Sequence, residues 1–255
     1  MFKILIFAAV CFIVGSLPAR ADMACEFGQP SVILEDGDPH MVGSRLLQVW
    51  EVQNHPVYWS NTVPDSQGYR QFKAELIELK TETDPVRLLE RSPTDNNLIV
   101  IRNASDWIKP AACLEMLLIG YQHERLNTFD TPSEFASIVL RSPSKDRLRI
   151  YYYTLNQDGI GRTTPVVDSA LQAKRDGWEV LIALHSHVFH PGQPELDGIL
   201  APSEPDADFH VRFYAESGIR EAWITNGIHT VRMPASSFHD FRRPSNGGEV
   251  SSQPE

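Results

Sequence analysis

Apolar and polar positions alternate with different rhythms in the two halves of this chain. In the first half, "SRLLQVWEVQ" (44–53) and "QFKAELIELK" (71–80) space their apolar residues three or four apart, which predicts two helices. Between them "NHPVYWSNTVPDSQG" reads as a loop punctuated by proline and glycine. From Leu98 the texture shifts to short apolar runs. "LIVI" (98–101), "CLEMLLIGYQ" (113–122), "SIVL" (137–140) and "LRIYYYTL" (148–155) predict strands, the last on the strength of its aromatic residues. "PVVDSALQAKRDGW" (165–178) predicts a helix with an early proline and a late glycine. "EVLIALHSHVF" (179–189) follows as a buried strand, then "SEPDADFHVRFYAESG" (203–218) as a helix stopped by Gly218. "EAWITNGIHTVRM" (221–233) reads as a hairpin turning at Asn226-Gly227. From Ser236 to residue 255 the chain is polar and rich in Ser, Pro and Gly, the composition of a disordered tail. Strands and helices in this order predict an α/β (α+β) fold, a mixed sheet flanked by helices. The change of texture divides it into an N-terminal extension (22–97) and a main domain (98–235).

The ends and the charge narrow the setting. Residues 1–21 carry Lys3, then the apolar run "ILIFAAVCFIVG", then "ARA", the signature of a cleaved export signal. The run is too short for a lasting bilayer anchor. A lipoprotein reading through Cys25 is the weaker one, since Asp22 stands where an aliphatic residue belongs. The expected location is therefore periplasmic or secreted. Removing the signal takes away Lys3 and Arg20 and leaves 21 basic against 33 acidic residues, a net charge of −12. That balance speaks against nucleic acid and anionic lipid as partners, because both require clustered Lys and Arg. Cys11 leaves with the signal, so Cys25 and Cys113 are the mature cysteines, and an oxidising compartment favours a disulfide between them over two buried thiols.

The chemistry concentrates in "HSHVFHPGQPELDGILAPSEPD" (185–206). Residues two apart on a strand share a face, so His185 and His187 would project together, with Ser186 turned away. Such a pair suits a zinc ion, with a third protein ligand and an open position for water in a catalytic site. It also suits two satisfied polar residues at a sheet end. Asp206 is the best third ligand, at the start of the following helix. Ser203-x-x-Asp206 reads equally as a capping box, and a residue can cap a helix while facing a metal.

His-Ser-His at a strand end followed by Ser-x-x-Asp opening a helix resembles the JAMM metallopeptidases, also called MPN+ or JAB-domain peptidases. The resemblance covers residues 98–235. It implies zinc held by His185, His187 and Asp206, an oxyanion-stabilising Ser203, and a glutamate general acid/base on an earlier strand. Glu115, a single charge inside "CLEMLLIGYQ", is the expected glutamate, with Gly120 as a glycine of its strand and Glu124 and Glu78 as fallbacks. The chain departs from the family in carrying Val188 where proline follows the second histidine, and in a longer 188–202 loop. That loop offers His190, Glu195 and Asp197 as substitute ligands. The implied activity is hydrolysis of an amide or isopeptide bond in a protein or peptide substrate. The competing readings are an MPN-like binding scaffold without metal, and a zinc hydrolase of another kind completed by His190 or Asp197.

Overall fold

The computed structural model describes residues 23–38, 40–154, 164–190 and 197–242. Its strands are β1 (Ser31–Asp36), β2 (Arg45–Gln53), β3 (Ile108–Pro110), β4 (Phe135–Arg141), β5 (Arg147–Thr154), β6 (Glu179–Ser186), β7 (Glu221–Thr225) and β8 (His229–Pro234). They form one eight-stranded sheet in the order β1-β2-β5-β4-β6-β7-β8-β3. β6 and β7 run parallel and every other pairing is antiparallel. The helices are α1 (Gln67–Glu78), α2 (Pro85–Arg91), α3 (Asp95–Arg102), α4 (Ala104–Trp107), α5 (Cys113–Arg125), α6 (Thr164–Arg175) and α7 (Glu204–Ser217). The fold is thus a mixed sheet flanked by helices, of the α+β kind. No helix among the described residues is long and apolar enough to cross a membrane.

The sheet buries both faces. On one side α1 and α5 pack through Phe72, Leu114 and Leu118 against Ile150, Tyr152, Leu184 and Trp223. On the other, α6 and α7 pack through Val166, Ala170, Ala207 and Phe213 against Ile138, Ala183, Ala222 and Ile224. A strand covered on both faces reads as a continuous apolar run. "VLIAL" in β6 is such a run, and it delivers the two histidines to one end of the sheet.

Several elements depart from the sequence expectations. Within 44–53, Arg45–Gln53 forms β2 rather than a helix, paired with β5 from Leu46–Thr154 to Gln53–Arg147. "LIVI" lies in α3, and "CLEMLLIGYQ" is the body of α5, so both are helical rather than extended. The start of the expected tail is ordered: a 3-10 turn at Ala235–Asp240 buries Ser237 and Phe238. Residues 243–255, residues 1–21 expected as an export signal, and Glu195 lie outside the described residues. The change of texture at Leu98 is not a break in the fold. α3 spans it, and β1 and β2 continue the sheet of the C-terminal half. A Cys25–Cys113 disulfide, with Cα atoms 5.9 Å apart, ties the N-terminal arm to the first turn of α5.

Candidate metal centre

β4 pairs with β6 in a register that sets Ala136 opposite His185. His185 shares a face with Ala183, the face covered by α7. Ser186 turns to the other side, where its hydroxyl accepts a hydrogen bond from the Phe135 N–H at 3.0 Å. His187 lies one residue past the end of β6. Its N–H donates to Thr225 O at 2.9 Å, so β7 carries the strand geometry one step further and returns the ring to the His185 face.

The chain then loops back. Asn226 Nδ2 donates to Gly198 O, and the Gly198 N–H donates to Val188 O. Gly198 has φ +66°, and a Cβ there would meet the Phe189 ring at 2.6 Å, so glycine is required at this closure. The closure places Ile199 O 2.6 Å from His187 Nδ1. A carbonyl oxygen only accepts, so Nδ1 carries the proton and the lone pair of the neutral ring sits on Nε2.

Ser203 caps α7. Its hydroxyl accepts from the Asp206 N–H, while its own N–H and Oγ–H donate to Asp206 Oδ2 at 2.9 and 2.6 Å. The capping box expected from the sequence is therefore present, and it aims the carboxylate at the histidines. Asp206 Oδ2 lies 3.5 Å from His185 Nε2 and 3.4 Å from His187 Nε2, and the two Nε2 atoms are 3.2 Å apart. Ligands about 2.0–2.1 Å from a shared tetrahedral centre stand roughly 3.3–3.4 Å from one another. The three atoms form a near-equilateral triangle of that size. His185, His187 and Asp206 could hold a metal ion.

The electrostatics match a cation site. Burial opposes charge on Asp206, but the adjacent His185 and His187 outweigh it and hold the carboxyl well below the usual carboxylate range. Burial likewise opposes charge on His187, but Asp206 and the charge of Glu134 outweigh it and push the ring up to about 9. A proton thus stands in for part of a cation's charge between the three groups.

Glu134 is the residue that the sequence reading missed. It immediately precedes β4, and continuing the register of β4 on β6 two pairs beyond Ala136–His185 sets it opposite His187, on the same face. It lines the cleft with all three ligand residues. Its carbonyl and both of its chain neighbours are anchored. Thr154 Oγ1 donates to Glu134 O at 2.8 Å, the next N–H is bonded to Ser186, and the preceding Ser133 hydroxyl accepts from Gln122 Nε2 at 2.6 Å. The signal was present in "EFASIVLR": one acid at the entrance of a strand whose next six residues are all buried.

The expectation for Glu115 is corrected. It lies in the first turn of α5, on the opposite side of the sheet from the histidines. Its carboxylate reaches back to the Ala112 N–H at 2.5 Å and toward Arg232 Nη2 at 3.4 Å. It therefore caps a helix and pairs an arginine, which answers the cost of burying a charge there. Glu78 and Glu124 sit exposed on α1 and α5, the helices of that same side. Asp197 is occupied by the His190 N–H at 2.8 Å and by Arg91 at 3.7 Å, and neither it nor His190 joins the ligand triangle.

The triangle opens into a cleft of about 1170 Å³ between α6 and α7. Ala136 and Ile138 form its floor, Val166, Val167, Phe209 and Phe213 its apolar walls, and Ser92, Thr94 and Asn97 a polar rim from the α2–α3 connection. Compared with family models, curated proteins and solved structures, the chain matches none.

Proposed function

We propose that this chain is an exported zinc-dependent hydrolase of amide or isopeptide bonds, built on JAMM-like lines. His185, His187 and Asp206 would be the ligands, Glu134 the general acid/base and Ser203 a donor to the carbonyl oxygen. The observation that carries the reading is the equilateral triangle of ligand atoms, 3.2 to 3.5 Å on a side, opening into a cleft beside an acid. Two imidazoles and one carboxylate are a donor set that zinc accepts in catalytic sites. The disulfide supports an oxidising compartment.

Zinc bound there would supply Lewis acidity, polarising a carbonyl and lowering the pKa of water from 15.7 toward about 7. The chain's own residues would do the rest. Glu134 would accept a proton at its carboxylate as the carbonyl is attacked, then return it to the departing amine. Ser203, exposed at the cleft edge, would turn its hydroxyl hydrogen from Asp206 Oδ2 to the developing oxyanion. Removing one such donor costs about 2.7–4 kcal/mol of transition-state stabilisation. The apolar walls would seat apolar portions of a protein or peptide substrate.

The test pairs metal content with turnover. Residues 22–255 should bind one zinc, and Asp206→Ala and His187→Ala should lose it. Glu134→Gln should keep the zinc and lose at least ~100-fold in cleavage of a fluorogenic peptide and isopeptide panel, the lower end of general acid–base effects. A parent chain that takes up no zinc would reject the proposal. Undiminished cleavage by Glu134→Gln would reject the role of Glu134.

A further inference from the structure

His210 lies four residues beyond Asp206 on α7, one turn along the same side of the helix. It is 1% exposed, and neither ring nitrogen has a hydrogen-bond partner. Two of its ring neighbours are Phe209 and Phe238, with centroids at 5.8 and 5.5 Å, which offer it no such partner. An imidazole left unpaired in an apolar core costs about 1–3 kcal/mol, so a leucine or phenylalanine would serve packing better. The third ring against it is His185, with centroids 5.8 Å apart and planes at 41°.

His185 turns Nε2 toward His187 and Asp206, which leaves Nδ1 as its outer nitrogen. A histidine that ligates metal through one nitrogen donates the other N–H to a carboxylate, carbonyl, water or similar acceptor. His187 has this support from Ile199 O. Among the described residues no hydrogen bond engages His185 Nδ1. We infer that His210 is the outer support of the metal centre. Its neutral ring accepts the Nδ1–H of His185 through one bridging water, and so fixes the His185 tautomer with its lone pair on Nε2. The ligand Asp206 and this positioning residue then project from consecutive turns of one helix. The inference rests on the metal-centre reading.

Zinc affinity, measured by chelator competition on residues 22–255, separates this role from packing. His210→Phe keeps an aromatic ring and removes both nitrogens. It should weaken zinc by ~10–100-fold, the usual effect of losing an outer partner. The melting temperature of the same variant without zinc should not fall, because a buried unpaired group has been removed. His210→Gln against His210→Met asks the question again with side chains of similar length, should the phenylalanine variant not fold. Gln should bind zinc more tightly than Met. Equal zinc affinity in parent and His210→Phe, or in the Gln and Met variants, would overturn the inference while leaving the centre intact. A parent without zinc would instead overturn the centre, and the inference with it.

Discussion

Two histidines and an aspartate were legible as residues because strand and helix periodicities act over short distances. His-x-His on a strand fixes a shared face, and a capping box fixes where Asp206 points. Glu134 was harder to read, because its relation to His187 exists only through the pairing of β4 with β6, some fifty residues apart in sequence. Glu115 drew attention instead because an acid within an apolar run looks expensive, and the cap and Arg232 that relieve it were invisible. The charges gathered at the triad lead to a prediction. His187 is raised to about 9 against an ordinary 6.5. A raised histidine contributes stability that is fully present below pH 6.5 and is lost as pH climbs through 9. In the metal-free protein, an NMR titration should place His187 near 9 and Asp206→Asn should lower it. Since the metal must displace this proton, zinc binding at pH 8 should release about one proton, seen as buffer-dependent heat in calorimetry. A His187 that titrates below 7 in the metal-free protein would contradict this account.

Elements were read well where a short apolar run or a half-wet period fits one element type, as in β4, β5 and β6, and poorly where burial imitates the other type. α6, α7 and the β7–β8 hairpin follow their patterns, and Gly218 ends α7 in the left-handed region at φ +69°. β2 buries Leu46 and Leu47 on opposite faces, which breaks the alternation and imitates a helical spacing. α5 is buried on nearly all sides, so its apolar run resembles a core strand; its length of 13 residues was the better guide. Gly120, expected as a strand glycine near a catalytic acid, serves the crossing of α5 with α1. A Cβ on Gly120 would meet the Tyr69 nitrogen at 2.7 Å, and one on Gly68 would meet Gly120 O at 2.0 Å. Backbone atoms do not step aside, so the two helices would have to separate. Gly120→Ala should destabilise the protein by about 1–3 kcal/mol in urea denaturation, as overpacked cores do. Zinc stoichiometry in the folded variant should be unchanged, since α5 lies across the sheet from the triad. A neutral effect on stability would mean that the helices are not held this closely.

At the scale of the whole molecule, the segment before Leu98 is part of the machine that holds the centre. β2 covers the edge of β5, α1 packs on α5, and the α2–α3 connection supplies a rim of the cleft. Asn96 joins that rim to two points of the C-terminal half: its Nδ2 donates to Pro202 O, just before the Ser203 cap, and its Oδ1 accepts from the Arg242 N–H. The change of texture at Leu98 suggested a boundary there, yet large residues before it, Trp50, Tyr58 and Phe72 among them, lie in the same core as Leu114 and Tyr152. The disulfide closes this arrangement across 88 residues. A loop of that size removes unfolded-state entropy worth about 4–5 kcal/mol in the chain-entropy model. Cys25→Ser with Cys113→Ser should therefore lower the unfolding free energy by several kcal/mol while the folded fraction still binds zinc, because neither sulfur is near the triad. A chain of residues 98–255 should fare worse. With the β5 edge bare and one core opened, it should show no cooperative unfolding transition and no zinc site that survives mild chelation. If that fragment melts cooperatively and holds zinc as the full chain does, the first 97 residues are an appendage, and the rim they form has to be explained by something other than the integrity of the centre.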